Sequence, residues 1–199
     1  MKKVLLTVAA IFAFGFASAQ DTTTEGGFAN GDVFITGAVG FGSSKTGDAK
    51  TNSFEIAPSV GFFVTPNIAL GGRLGYESSK DKTTPIEKKT NEFSIGVFGR
   101  YYMTPASKFS IFGELGVNYS TSKTEIDTPG SKDAKTNGFG VEVAPGISYF
   151  LAKNFALEAR WGVLGYSSAK PDEDGAEATN DFDLNLDLRD ITLGLIYKF

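Results

Sequence analysis

The charged residues set inside otherwise apolar, alternating stretches are the first candidates for chemistry. Counted from the short turns that precede them, Arg73 and Arg160 occupy equivalent positions, and Glu114 holds that position in the hairpin between them. Glu158 and Glu142 fall on the same alternate face. An arginine fork matches a carboxylate, and a charge taken out of water needs such a partner. The spacing therefore predicts an Arg73–Glu114–Arg160 network in an interior, joined by Glu158 and Glu142. Other chemistry is poorly provided for. The 199 residues contain no His and no Cys. This removes Ser-His-Asp catalysis, thiol nucleophiles and most zinc sites. No carboxylate pair can be named as a water-accessible acid and base, so no catalytic residue and no cofactor is expected. Asp183, Asn185 and Asp187 share a strand face near Asp172-Glu173-Asp174. Oxygen ligands suit Ca²⁺, but the spacing is not that of an EF-hand loop. They read as a solvated acidic rim, and no metal site is expected. With 19 Lys+Arg against 23 Asp+Glu and a formal charge of −4, a nucleic-acid partner is not expected.

The elements that must position these charges follow from hydropathy. Lys2 and Lys3 precede an apolar run from Val4 to Phe16 and a small-x-small Ala17-Ser18-Ala19. This is the pattern of a secretory signal peptide, 1–19, cleaved between Ala19 and Gln20. The run is too short for a membrane helix, which needs about 20 apolar residues. Residues 20–30 read as a leader. Over 31–199 the apolar residues recur with period 2. Eight strands are expected, centred on 33–41, 54–62, 68–76, 93–101, 109–119, 139–149, 155–163 and 191–199. Their bulky faces supply 42 positions, none of them charged. The opposite faces are Gly, Ala, Ser and Thr with Glu55, Arg73, Glu77, Glu92, Arg100, Glu114, Glu142, Glu158 and Arg160.

Such alternation fits either a soluble barrel with its apolar face inside or a membrane barrel with that face outside. The bulk of the apolar face decides for the membrane. An eight-stranded barrel has little interior room, so the small residues belong inside. The aromatics also fall in two bands. Phe41, Phe54, Tyr76 and Phe93 are among those beside the long connections, and Phe62, Tyr101, Phe109 and Tyr149 among those beside the short ones. Two such belts match interfacial girdles. A lysine at mid-membrane would cost about 2–4 kcal/mol, which explains its exclusion from all 42 positions. Connections alternate between short turns and polar loops of about ten residues or more, namely Ser43–Asn52, Ser78–Asn91, Ser120–Asn137 and Ser167–Asp181. Short periplasmic turns opposite long outer loops are a membrane-barrel trait. The expected fold is thus all-β, an eight-stranded antiparallel up-and-down transmembrane β-barrel. Inward Phe63, Phe98, Phe112 and Phe150 would narrow its lumen.

Two local features complete the reading. Residues 56–76 align without a gap to 143–163, with Pro58/Pro145 and Arg73/Arg160 coincident. A proline cannot donate to the ladder, so a bulge or a missing bond is expected at both. Near Arg189-Asp190 the apolar phase shifts, which predicts a bulge there, with Phe182–Leu188 extending the last strand outward.

Ile191, Leu193, Leu195, Tyr197 and Phe199 alternate to a C-terminal aromatic. This resembles the carboxy-terminal assembly signal of outer-membrane proteins. With the signal peptide, the eight strands and the segments at 161–168 and 184–199, the chain resembles the small outer-membrane barrels of OmpX and OmpA transmembrane-domain type, within a broad porin-like group. The resemblance implies a Gram-negative cell outer membrane and insertion by the barrel assembly machinery; barrel enzymes of that membrane resemble this shape but rely on His, which the chain lacks, so no enzyme is expected. It implies a structural or interaction role in the cell envelope, presenting four extracellular loops for adhesion or envelope maintenance. The alternative is a narrow porin-like channel for ions or very small solutes. The surrounding partners would be outer-membrane lipid and lipopolysaccharide, whose phosphates the loop lysines from Lys45 to Lys135 could meet.

Overall fold

The computed structural model describes residues 26–83, 86–128, 133–173, 175–184 and 191–199. Within them lie β1 (Val33–Thr46), β2 (Ala49–Phe63), β3 (Ile68–Thr83), β4 (Ile86–Tyr102), β5 (Phe109–Ile126), β6 (Ala134–Ala152), β7 (Phe155–Trp161), β8 (Leu164–Pro171), β9 (Thr179–Leu184) and β10 (Ile191–Lys198). Each sequential neighbour from β1 to β6 pairs antiparallel. β7 and β8 both lie against β6 and together form one wall. β9 pairs with β8, and β10 with β7, to form the next. β10 then pairs with β1, which closes an eight-stranded antiparallel barrel. Closure gives the backbone groups of each strand partners on both sides, which is the condition for a β structure in hydrocarbon.

Side chains take the orientation that volume and charge dictate. Val97 (63% exposed), Leu115 (55%) and Leu70 (52%) point out, whereas Phe63, Phe98, Phe112 and Phe150 are buried inside. Some glycines on the inner wall make room for these rings. A Cβ on Gly61 would lie 2.2 Å from Cζ of Phe34, and one on Gly146 would lie 2.3 Å from Cζ of Phe112. In the C-terminal segment, Ile191, Leu193 and Phe199 are exposed outward while the intervening Ile196 is buried.

Two expectations are corrected. The outer connections are not long loops. β1 and β2 stay paired up to Thr46↔Ala49 around Gly47, at φ +61°, and β3–β4 stay paired up to Thr83↔Ile86. The alternation disappears there because both faces meet water, whereas the ladder needs no polarity difference and continues. The seventh wall is not one strand. It breaks at Gly162-Val163, after which the outward residues become Leu164 and Tyr166 in place of Val163. The bulge or missing bond expected at each proline is found, in a different form at each. Beside Pro58 the β2–β3 pairing lapses between Ile56↔Tyr76 and Ser59↔Arg73 without changing register. Beside Pro145, the two residues Ala144 and Pro145 face three, Trp161 to Val163, so the register slips by one. A bulge thus accommodates the missing donor at one site and a gap does so at the other. The expected bulge at Arg189-Asp190, and residues 185–188 of the strand extension, lie outside the described residues; β9 forms the described part of that extension.

The outward aliphatic wall yields a direct test. Val97→Lys, placed mid-membrane, is expected to destabilise the lipid-embedded barrel by about 2–4 kcal/mol. The measurement is reversible denaturant unfolding in vesicles.

A buried ion-pair network beneath an open vestibule

The outer half of the lumen is walled by small inward residues such as Ala38, Ser59, Ser94 and Gly140 and by the inward carboxylates Glu55, Glu77 and Glu92, which lie side by side in register; Glu55 and Glu77 are exposed, so this half is open to solvent. A cavity of about 230 Å³ in this region is bounded in part by Glu142, Arg160, Asp183 and Thr192. That volume holds several waters at about 30 Å³ each. Asp183 therefore lies on the inner wall, while Asn185 and Asp187 lie outside the described residues.

Below the vestibule the charges converge on Glu114, which is 2% exposed. Register explains the meeting. β4–β5 pairing sets Arg100 opposite Glu114, and β6–β7 pairing sets Glu158 opposite Ser148 on the same inner face. Arg100 Nε donates to Glu114 Oε2 at 2.5 Å. The same guanidinium donates from Nη1 and Nη2 to the two carboxylate oxygens of Glu158, at 2.5 and 3.1 Å. Arg73 donates to Glu114 Oε1. Arg160 Nη1 donates to Glu114 Oε1 at 3.1 Å and also to Glu142. The structure thus brings Arg73, Glu114, Arg160, Glu158 and Glu142 into one linked set, with three guanidinium groups balancing three carboxylates. Among the described residues Arg73 Nε has no hydrogen-bond partner, and a cavity of about 30 Å³, the volume of one water, is lined in part by Arg73.

Arg100 is the member that comparing hairpins from their turns misses. That comparison aligns strands running the same way, β3, β5 and β7, and β4 runs the other way. The usable signal was its inward parity on β4, directly across the 103–108 turn from Glu114. Arg100 is the most buried of the three arginines, and its guanidinium carbon lies 4.6 Å from the Phe112 ring centroid and 4.9 Å from that of Phe98. Each such contact in a dry site contributes about 2 kcal/mol.

An aromatic floor closes the end that bears the short turns. Phe28, Phe34, Phe63, Tyr102, Phe112 and Phe150 are all almost fully buried and share ring contacts. Phe28 comes from the leader, which carries no period and so gave no sequence signal. Its ring stacks on Phe63 with centroids 4.7 Å apart and meets Phe150 edge-on at 4.9 Å. Its N–H donates to the Pro105 carbonyl at 2.7 Å. Lys198 Nζ donates to the Gly27 carbonyl at 2.5 Å and pairs with Asp32 at 3.3 Å, tying this segment to β10.

The network can hold a rigid, electrically neutral septum, and nothing in it activates a nucleophile. Among the described residues there is no group of three or more His, Cys, Asp or Glu arranged to hold a metal ion. Removing one partner of a buried set costs about 3–5 kcal/mol because the others are left uncompensated. Glu114→Gln is expected to lower unfolding stability by that amount. Glu142→Gln, at the wet end of the network, is expected to lower it by less than about 1 kcal/mol. Denaturant titration in lipid compares the two.

Residues 6–199 match the outer membrane protein β-barrel domain family. No curated protein matches the chain in sequence. Among solved structures, it is similar to the outer membrane protein OprG of Pseudomonas aeruginosa. That match has a TM-score of 0.57 at 17% identity and covers 87% of this chain and 98% of that one. It is also similar to a major outer membrane protein of Thermus thermophilus, with a TM-score of 0.49 at 12% identity, covering 84% and 98%. The N-terminal β-barrel domain of Pseudomonas aeruginosa OprF gives 0.46 at 14%, covering 86% and 100%. At these identities the likeness concerns the fold alone. The family match spans the whole barrel with its ion-pair septum, and the chain belongs to the outer membrane protein β-barrel domain family.

Proposed function

We propose that this outer-membrane barrel works as a sealed scaffold, with a structural or interaction role carried by its outer hairpins and not by its lumen. The observation that supports this best is the double closure of the periplasmic half. The six-ring floor and the Arg100–Glu114–Glu158 ion pairs lie across the bore, and each of these three charged residues is less than 10% exposed. An ion crossing here would have to displace both a packed aromatic layer and a neutralised charge set. The absence of His and Cys supports a role without catalysis.

The reading includes a cleaved signal peptide at 1–19 and insertion by the barrel assembly machinery through the segment ending Ile191, Leu193, Leu195, Tyr197, Phe199. It also includes lipopolysaccharide as the outer-leaflet neighbour, with adhesion or envelope maintenance as the role of the outer hairpins. A narrow channel for ions or very small solutes is the second reading, favoured by the open vestibule and its cavity of about 230 Å³.

Planar-bilayer recording separates the two. The sealed barrel is expected to give no steady openings. Reproducible openings whose size changes in Arg73→Ala or Glu114→Gln would establish the channel instead.

A further inference from the structure

The four outer hairpins repeat one outward-facing plan. FGSSK (41–45) returns as KTNSF (50–54), and YESSK (76–80) returns as KTNEF (89–93). YSTSK (119–123) returns as KTNGF (135–139), and YSSAK (166–170) returns as ATNDF (178–182). Register turns this repeat into layers. Aromatics pair first, as in Phe41↔Phe54, Tyr76↔Phe93 and Tyr119↔Phe139. Two residues further out, a Ser or Thr faces an Asn, as in Ser43↔Asn52, Ser78↔Asn91, Thr121↔Asn137 and Ser168↔Asn180. Two residues beyond these, lysine faces lysine in Lys45↔Lys50, Lys80↔Lys89 and Lys123↔Lys135. The last hairpin carries the lysine on one side only, Lys170, since residue 178 is alanine. The barrel's outer surface therefore bears an aromatic belt, a hydroxyl–amide band and a lysine ring.

Like charges directly opposite on one sheet face destabilise it, so the lysines that protein carboxylates leave unmatched favour an external counter-charge. Protein supplies little of it. Lys80 pairs with Glu87, and Lys123 with Glu125 and Asp133. Lys45, Lys50, Lys89, Lys135 and Lys170 make no ion pair among the described residues, and all five are exposed. Depth identifies the counter-charge. Four residues along a strand tilted near 40° raise the lysine backbone about 10 Å above the belt, from which the long stems can carry the ammonium groups further outward. The polar zone of a glycerophospholipid leaflet is only about 5–8 Å deep. The ring thus stands at the level of anionic groups carried further from the acyl chains, and the band beneath it offers hydroxyl and amide partners for a sugar.

We propose that these hairpins form a headgroup collar that binds the phosphorylated saccharide headgroups of outer-leaflet glycolipid. The collar rests on the membrane placement and deepens the lipid-neighbour part of the proposed function. A conducting lumen would overturn the sealed scaffold and leave the collar intact.

The test places the full mature barrel in phosphatidylcholine vesicles that contain, at equal mole fraction, bisphosphorylated lipid A, dephosphorylated lipid A or phosphatidylglycerol. Enrichment of labelled lipid at the protein is read by energy transfer from Trp161. A lysine near an anionic surface contributes roughly fivefold in binding. The variant K45Q/K50Q/K89Q/K135Q is expected to lose at least about tenfold of the enrichment of bisphosphorylated lipid A. The corresponding Lys→Arg variant is expected to keep it. So is a control, K88Q/K108Q/K153Q, whose lysines lie outside the ring. Heat-modifiable gel mobility verifies folding. Should the glutamine variant not fold, salt titration of the unaltered barrel decides, because collar binding must weaken with ionic strength. The collar is overturned by undiminished enrichment in the folded glutamine variant or by indifference to salt. It is equally overturned by phosphatidylglycerol matching bisphosphorylated lipid A.

Discussion

Closing eight strands into a cylinder fixes how much can be put inside it, and the rest of the molecule follows from that constraint. A lumen of this bore admits one layer of large side chains at a time. The chain places its rings at the short-turn half and lines the other half with small residues and hydrated carboxylates such as Glu55, Glu77 and Glu92. Glu114 can be buried only because Arg73, Arg100 and Arg160 reach it from three different walls. Arg100 can be buried only because Glu114 and Glu158 take its donors while Phe98 and Phe112 flank it. Narrowness makes the network and the network keeps the bore narrow. A wider barrel would have left these charges hydrated and separate.

The membrane imposes the complementary constraint outside. The sequence alternation was legible wherever the two faces of a strand meet different media, from Val33 to Phe41 on β1 and from Phe93 to Tyr101 on β4. It ceased to be legible above the belt, where both faces are wet, although β1 to β6 continue for several residues there. The pattern hidden in that region has a longer unit, a whole hairpin, and it emerges when KTNSF, KTNEF and KTNGF are set side by side. The break at Gly162-Val163 escaped for another reason. Its cause, Pro145, lies on the neighbouring strand, and the equivalent Pro58 is accommodated without a bulge.

The candidate site was partly legible. Equivalent positions on outward-running strands marked Arg73, Glu114 and Arg160, because the repeat at 56–76 and 143–163 preserves them. Arg100 needed cross-strand register, which a single strand's pattern does not carry. Phe28 needed tertiary structure altogether, since its place among the rings depends on where Phe63, Tyr102 and Phe150 converge.

The clasp at Lys198 bears on how such a molecule comes into being. β1 and β10 meet over only four paired residues, Phe34 to Gly37 against Leu195 to Lys198. Lys198 reaches from the end of that short zipper to Gly27 and Asp32. The strands at the two sides of the seam are therefore held by the ladder and by this side-chain clasp, beside the segment that delivers Phe28 to its nest of rings. Sealing of the base is thereby coupled to closure of the cylinder, because an open seam would carry Lys198 away from Gly27 and Asp32.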